Sequence, residues 1–230
     1  MSQEVDNIRT RYEGRKSLPE SLYDPLKAYN SLVESEKRFA LIRWLNSVGL
    51  TRVSGMKVLD VGCGKGPNLL QLLLLGFKPE NLVGVELIEE FALQARHRLP
   101  SATRIIVGDA SEADLNGETF DVVMQFTVFT SILDKSFQRK LADRMWSMVK
   151  TGGGVLWYDY VYNNPWNPDV RGIPVRKIHE LFPDGRIKLW RLTLAPPIGR
   201  FVAKISPWLY HLLNATYVLR THVLCWIQKV

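Results

Sequence analysis

Val58 to Gly66 reads VLDVGCGKG, an apolar run interrupted by one acid and followed by glycines at alternate positions. Val58, Leu59 and Val61 running into glycine describe a short buried strand that ends in a tight turn. Asp60 stands inside that run, two residues before the first glycine. A carboxylate buried there without a partner costs several kcal/mol, so the position implies a hydrogen-bonding duty. Gly62, Gly64 and Gly66 let the backbone take positive φ and let a ligand approach to main-chain distance. The next stretch, Asn68 to Leu75 with Gly76 behind it, reads as a buried helix stopped by glycine. Strand, glycine turn and helix together form a nucleotide-type cradle.

Spacing narrows the nucleotide. The dinucleotide fingerprint G-x-G-x-x-G would put its third glycine at Pro67, and a P-loop needs Ser or Thr after Lys65, where Gly66 stands. The pattern D-x-G-x-G-x-G from Asp60 to Gly66 resembles the first motif of class I S-adenosylmethionine-dependent methyltransferases. Asn81 to Val85 reads as a second strand ending at Glu86, about twenty residues past the glycines, where such folds bind ribose hydroxyls. The resemblance implies S-adenosylmethionine as cofactor, with Asp60, Gly62, Cys63, Gly64, Gly66, Glu86 and Leu87 around it and Glu86 on the ribose. At Cys63 a small residue fitting the turn is the plain explanation. Arg104 to Val107 makes a third strand followed by Gly108, Asp109 and Ala110, the turn at which the family places an acid on the adenine amino group. Asp109 is therefore the expected adenine reader, with Ala110 beside it. On residue chemistry alone Asp109 is equally an Asx-turn residue. Phe120 to Phe126 is a fourth strand whose end supplies Gln125 and Phe126 to the expected cofactor set, and Asp121 at its start is structural.

Composition bounds the rest. The chain has 230 residues, 46% of them hydrophobic, enough for one α/β domain with a full core. Cys63 and Cys225 are too few for a disulfide scaffold, which favours a reducing, cytoplasmic setting. Two cysteines and four histidines show no metal-ligand spacing. The polar N-terminus does not read as a signal peptide, and no apolar run approaches a membrane span. Net charge is +7, which favours an anionic partner without choosing among nucleic acid, phosphorylated substrate and membrane surface.

The acceptor side is read from the second half of the chain. Methyltransferases that act on planar nitrogens carry an Asp/Asn-Pro-Pro-aromatic cluster after the fourth strand, whereas Gln125, Phe126, Thr127 and Val128 stand here, so base methylation drops in rank. Asp134 caps a helix over Lys135 to Val149, Gly152 to Gly154 end it, and Val155 to Tyr158 give a fifth strand. Asp159 follows at the strand's end and is the expected general base for a hydroxyl acceptor; the rival reading is that it ties down the adjoining loop. That loop, DYVYNNPWNPDVRGIPVRK, is rich in turn residues and leaves the end of the sheet where ligands bind. Asn163, Asn164 and Arg171, with Tyr12 and Tyr23 from the N-terminal segment, are the candidate substrate contacts. The alternative is that the loop residues bond to their own loop.

At the ends of the chain, residues 1–24 are charged and read as a solvated tail. Ser31 to Ser47 reads as a helix with Leu32, Phe39, Ile42 and Leu45 near one face, and the resemblance makes it a lid over the cofactor. Residues 1–50 are thus tail and lid, and 51–230 the methyltransferase domain. Val175 to Phe182 is a short helix, Ile187 to Leu194 a sixth strand and Val223 to Ile227 the last strand. Residues 195–222 form a helical insertion between those two strands. Ser206 and Pro207 start a helix there. Its stripe of Trp208, Leu209, Leu212 and Leu213, flanked by Arg200, Lys204 and Arg220, suits packing on the sheet edge or shallow contact with an anionic membrane. Arg220, Thr221 and His222 before the last strand more loosely resemble methyltransferases that work beside polysaccharide-building enzymes. The fold implied is a seven-stranded, mostly parallel Rossmann-like sheet with helices on both faces and an antiparallel last strand. The function implied is methyl transfer to a hydroxyl of a small molecule or saccharide. RNA methylation, or a non-catalytic cofactor-binding subunit, are the alternatives; no stacking-rich basic module supports a nucleic-acid partner. The oligomeric state is not legible.

Overall fold

The computed structural model describes residues 3–15, 24–164 and 167–230; Tyr23 lies outside them. The strands are β1 (Val58–Val61), β2 (Leu82–Glu86), β3 (Arg104–Val107), β4 (Phe120–Phe126), β5 (Val149–Tyr160), β6 (Gly185–Leu194) and β7 (Arg220–Lys229). They form one sheet in the order β3-β2-β1-β4-β5-β7-β6. β1 pairs in parallel with both β2 and β4, and β7 runs antiparallel to both β5 and β6. The chain therefore winds outward from β1 to β3, then crosses back to β4. That reversal opens a crevice at the carboxyl ends of β1 and β4, the place where open α/β sheets take their ligands.

β1 and β2 are buried along their whole length, because helices cover both faces of the sheet. That is why they read as apolar runs and not as alternating strands. One face carries α5 (Lys135–Ser147) and α6 (Val175–Leu181), with Phe129, Met145 and Trp157 in its core. The other carries α2 (Ala28–Ser47), α3 (Pro67–Leu74) and α4 (Glu89–Arg98), with Trp44, Leu69 and Trp226 in its core. Asp134 caps α5 by accepting from Phe137 N–H at 2.6 Å. Asp121 accepts from Lys57 N–H at 2.7 Å and from Lys150 Nζ at 2.9 Å, a purely structural duty.

Several sequence expectations are corrected. Gly152 to Gly154 do not end α5, which stops at Ser147; they lie inside β5. A Cβ on Gly153 would sit 2.5 Å from Asp121 O, and one on Gly154 2.6 Å from Ile227 O. The glycines serve close approach between strands, where the β4–β5 register shifts between Phe120 and Val122. The last strand begins at Arg220, three residues earlier than expected, so the helical insertion is shorter than 195–222. It contains α7 (Pro196–Ile205) and α8 (Pro207–Asn214), the latter capped by Ser206 as expected.

The N-terminus departs furthest. Residues 3–15 are not a solvated tail but helix α1 (Gln3–Arg15), which buries Val5 and Ile8 against the α5 side of the core. Buried Glu4 accepts from Leu133 N–H at 2.9 Å and pairs with Arg11 at 2.6 Å, and Arg11 also donates to Ser131 O. Burial alone would raise the Glu4 pKa, but Leu133 N–H and Arg11 together outweigh it and hold the carboxyl below its ordinary value. The sign follows: this contribution is full above the unfolded pKa and is lost as pH falls through the lower folded one. Glu4→Ala is expected to strip protection from α1 amides in hydrogen exchange at pH 7. Wild type should lose the same protection only on acidification, and equal protection in both proteins at pH 7 would refute the anchor.

α2, expected as the lid, lies against the sheet. It buries Ala40, Leu41, Trp44 and Leu45, with the Trp44 ring 5.2 Å from that of Trp226, while Phe39 is 72% exposed. The largest apolar surface decides which face turns inward, and that surface belongs to Trp44, not to the Leu32–Phe39–Ile42 row. α1 is the segment that spans the crevice edge instead. Its Tyr12 meets Phe91 of α4 edge-to-face at 6.1 Å, and Arg15 donates to Asp169 O at 3.4 Å.

Candidate active site

The cradle is built from β1, its glycine turn and the end of β2. Gly62 and Cys63 both donate to Val85 O, at 2.8 and 3.1 Å, which locks the turn to the neighbouring strand. Gly62, Gly64 and Gly66 have φ of 68°, 56° and 80°, a region costly for any residue with a Cβ. Beyond φ the three differ. A Cβ on Gly62 would meet Val128 Cγ2 at 2.6 Å, one on Gly66 would meet Leu99 Cδ1 at 2.8 Å, and one on Gly64 would point into open space. Gly64 thus borders the room a ligand needs. Gly62→Ala is expected to lower Tm sharply, by steric conflict. Gly64→Ala should cost roughly 1–2 kcal/mol of stability from φ alone yet lose cofactor affinity at least as strongly as Gly62→Ala. Parallel melting and calorimetry would show it, and unaltered cofactor binding by Gly64→Ala would refute the placement.

Two carboxylates face this turn. Glu86 accepts from Gly64 N–H at 2.7 Å with one oxygen and from Ile88 N–H at 2.8 Å with the other. Burial raises its pKa, and those backbone donors oppose the rise. Asp60 is fully buried and neither of its oxygens has a hydrogen-bond partner. Its pKa is pushed well up, first by burial and then by the nearby Glu86 charge, and the side chain of Asn68, close enough to oppose this, does not meet hydrogen-bond geometry. A buried carboxylate left without a donor is costly. It marks a place where donors from a bound group are wanted, and a ligand with ammonium and ribose hydroxyl donors fits that demand.

The other expected cofactor residues have jobs inside the chain. Cys63 is buried against Gly84, where an added Cβ would lie 2.6 Å from its Sγ, and burial pushes its thiol pKa up, so it is a packing residue. Leu87 and Ala110 pack partly buried on the core. Asp109 accepts from Ser111 N–H at 2.8 Å and from Ser111 Oγ at 2.9 Å, the Asx-turn arrangement weighed from its chemistry. Gln125 is buried and bridges Val128 N–H and Tyr158 O. Phe126 stacks on Tyr158 at 5.2 Å.

On the acceptor side the chain bends hard after β4. Thr127 has φ 59°, an outlier for a β-branched residue, and Phe129–Ser131 form a short 3-10 turn beneath α1. Asp159 holds this turn. It accepts from Thr130 Oγ1 at 2.8 Å, Thr130 N–H at 3.2 Å and Tyr160 N–H at 3.0 Å. It is fully buried, so the expectation that it meets an acceptor directly is corrected: the turn stands between. Burial pushes its pKa up to about 7 against those donors. The half-buried Tyr160 has its hydroxyl beside the Thr130 side chain, with Tyr12 and Arg15 of α1 close enough to influence it, and burial pushes its pKa up to about 12. Sequence reasoning missed Thr130, since nothing in local pattern links a turn after one strand to an acid at the end of the next.

The candidate loop residues divide. Asn163 Oδ1 accepts from Gly172 N–H at 3.1 Å, and Asn164 O accepts from Asn167 N–H. Arg171 donates its N–H to Thr130 O at 2.8 Å and exposes its side chain beside the turn. Tyr12 lies at the same edge under Arg15, whose guanidinium is 4.5 Å from its ring centre. Two open clefts, one lined by Lys57, Glu80 and Arg104 and the other by Val48, Gly152 and Gln228, lie at the amino ends of the parallel strands, away from this chemistry. Among the described residues no cluster of His, Cys, Asp and Glu is arranged to hold a metal ion.

Comparison with known proteins agrees with this fold. Residues 58–153 match the family described as methyltransferase domain. A structure of magnesium protoporphyrin IX methyltransferase from Synechocystis PCC 6803, with S-adenosylmethionine bound, is 13% identical over 99% of this chain and 98% of that one, with TM-score 0.64. A methyltransferase from Thermotoga maritima described as a possible histamine N-methyltransferase is 15% identical over the whole of both chains, with TM-score 0.63. A phosphoethanolamine methyltransferase from Haemonchus contortus is 18% identical over 84% of this chain and 52% of that one, with TM-score 0.59. No curated protein matches in sequence.

Proposed function

We propose that the chain is a class I S-adenosylmethionine-dependent methyltransferase and that it methylates a hydroxyl group of a small molecule or saccharide. When bound, the cofactor supplies an electrophilic methyl on a positively charged sulfur. The residues of the chain do the rest. Glu86 would hold the ribose hydroxyls, the unpartnered Asp60 would accept donors from the amino-acid end, and the backbone at Gly64 leaves room for both. Asp109, Ala110 and Leu87 would line the adenine side.

The observation that carries the hydroxyl reading is that Thr130 Oγ1 donates to the buried Asp159 at 2.8 Å, with the Tyr160 side chain close enough to Thr130 to feel it. A protonated hydroxyl is a poor nucleophile and needs a base. Asp159 cannot touch it, but its proton can be passed on: the acceptor gives a proton to Tyr160 Oη, Tyr160 gives its own to Thr130 Oγ1, and Thr130 gives its own to Asp159 Oδ1. One proton moves inward at each step and the negative charge ends on the acceptor oxygen. A carboxyl with pKa about 7 is matched to that task near neutral pH. Tyr12, Arg171 and the Asn163–Asn164 stretch would border the acceptor. Holding nucleophile and methyl in line contributes up to roughly 7–11 kcal/mol, so the walls matter as much as the base. A methyl-transfer screen over sugar, lipid-linked saccharide, carboxylate, amine and RNA acceptors, read by S-adenosylhomocysteine release, tests the proposal. Turnover with a hydroxyl acceptor is expected, and turnover confined to amines, carboxylates or RNA would overturn it.

A further inference from the structure

We propose that the α7–α8 hairpin docks the protein on an anionic lipid bilayer. The hairpin is firmly fixed on its inner side. Glu36 of α2 accepts from Thr193 N–H at 3.0 Å, Tyr210 Oη at 3.1 Å and Asn214 Nδ2 at 2.8 Å. Val202 and Tyr210 pack with Tyr29, Leu32 and Val33. With that face satisfied, four large apolar side chains still point outward: Phe201, Ile205, Trp208 and Leu212 are 67%, 62%, 71% and 53% exposed. They fall at i and i+4 on each helix, so each pair shares one face. Exposed Arg200 and Lys204 stand beside the α7 pair.

Charge distribution identifies what covers this ridge. The last 46 residues hold seven Lys or Arg and no Asp or Glu, so they carry the chain's entire net charge of +7 and the first 184 residues are neutral. Of the seven, Arg200 and Lys204 stand exposed beside the ridge, whereas Arg186 and Lys229 lie at the other end of β6 and β7. Aromatic and aliphatic side chains flanked by those two cations, Arg200 and Lys204, match the interface of an anionic membrane, into which such helices sink their apolar face while basic groups meet the headgroups. The hairpin joins the carboxyl end of β6 to the start of β7, and β6 lies two strands beyond β5, about 10 Å across the sheet. Docking would therefore set the acceptor edge of the sheet near the bilayer. Among the described residues no helix is long and apolar enough to cross it.

Vesicle flotation of the full chain tests this without reference to methyl transfer. Wild type should float with vesicles of equal phosphatidylcholine and phosphatidylglycerol, stay behind with phosphatidylcholine alone, and be released by salt. Arg200→Gln with Lys204→Gln should weaken partitioning about thirtyfold, from about fivefold per basic group. Phe201→Ser with Trp208→Ser should abolish it. Both variants should keep wild-type affinity for S-adenosylhomocysteine, which shows that they fold. Wild type remaining unbound with both vesicle types, or binding both equally, would overturn the proposal. So would a solution dimer that Phe201→Ser/Trp208→Ser converts to monomer, because the ridge would then belong to a second copy.

Discussion

Asp159→Asn is expected to lower turnover at least about 100-fold while S-adenosylhomocysteine affinity stays within threefold of wild type. The substitution keeps the shape of the side chain and removes the proton acceptor at the inner end of the Thr130–Tyr160 run. Thr130→Val should produce a comparable loss, since it deletes the hydroxyl that donates to Asp159 and would pass the proton on from Tyr160. The pH profile separates proton transfer from a merely structural role. Wild-type turnover should rise as Asp159 loses its proton near pH 7, and in the Asn variant that limb should vanish. Stability should move the opposite way. The folded pKa is raised, so the Asp159 contribution is full below its unfolded value near 4 and is lost as pH rises through about 7. The Tm of wild type relative to the variant should therefore decline between pH 5 and pH 8. Near-normal turnover in the variant, or an unchanged pH limb, would refute the relay.

The second large effect concerns Glu86. On the proposed reading that Glu86 holds the ribose, Glu86→Ala removes charge-assisted hydrogen bonds worth about 1.5–3 kcal/mol, or roughly 10- to 150-fold in cofactor affinity. It also leaves Gly64 N–H and Ile88 N–H without their acceptor, so the cradle itself should loosen and Tm should fall. Glu86→Gln keeps an acceptor oxygen and should lose less of both. Calorimetry with S-adenosylhomocysteine decides the matter: an unchanged dissociation constant in the alanine variant would remove Glu86 from the ribose site. A chain that binds NADH tightly and S-adenosylhomocysteine not at all would remove the cofactor assignment altogether.

The residues from Val58 to Ala110 carried the fold in one dimension because each signal there is local. A strand buried on both faces is an apolar run, a turn needing positive φ is a run of glycines, and a helix stop is Gly76. Asp60 and Glu86 could be singled out along the chain because an acid at the end of an apolar strand has few other uses. The acceptor side was only half legible. That Asp159 ends β5 beside Tyr160 could be read along the chain; that Thr130 stands against it depends on β4 and β5 pairing, which brings together groups 29 residues apart. How the N-terminal helices pack was out of reach for the same reason. The face of α2 that turns inward is set by how Trp44 meets Trp226 across the core, and α1 is held by Glu4 reaching Leu133, 129 residues away. Periodicity reports that a helix has an apolar side, whereas only packing decides which residues fill that side and what they lie against.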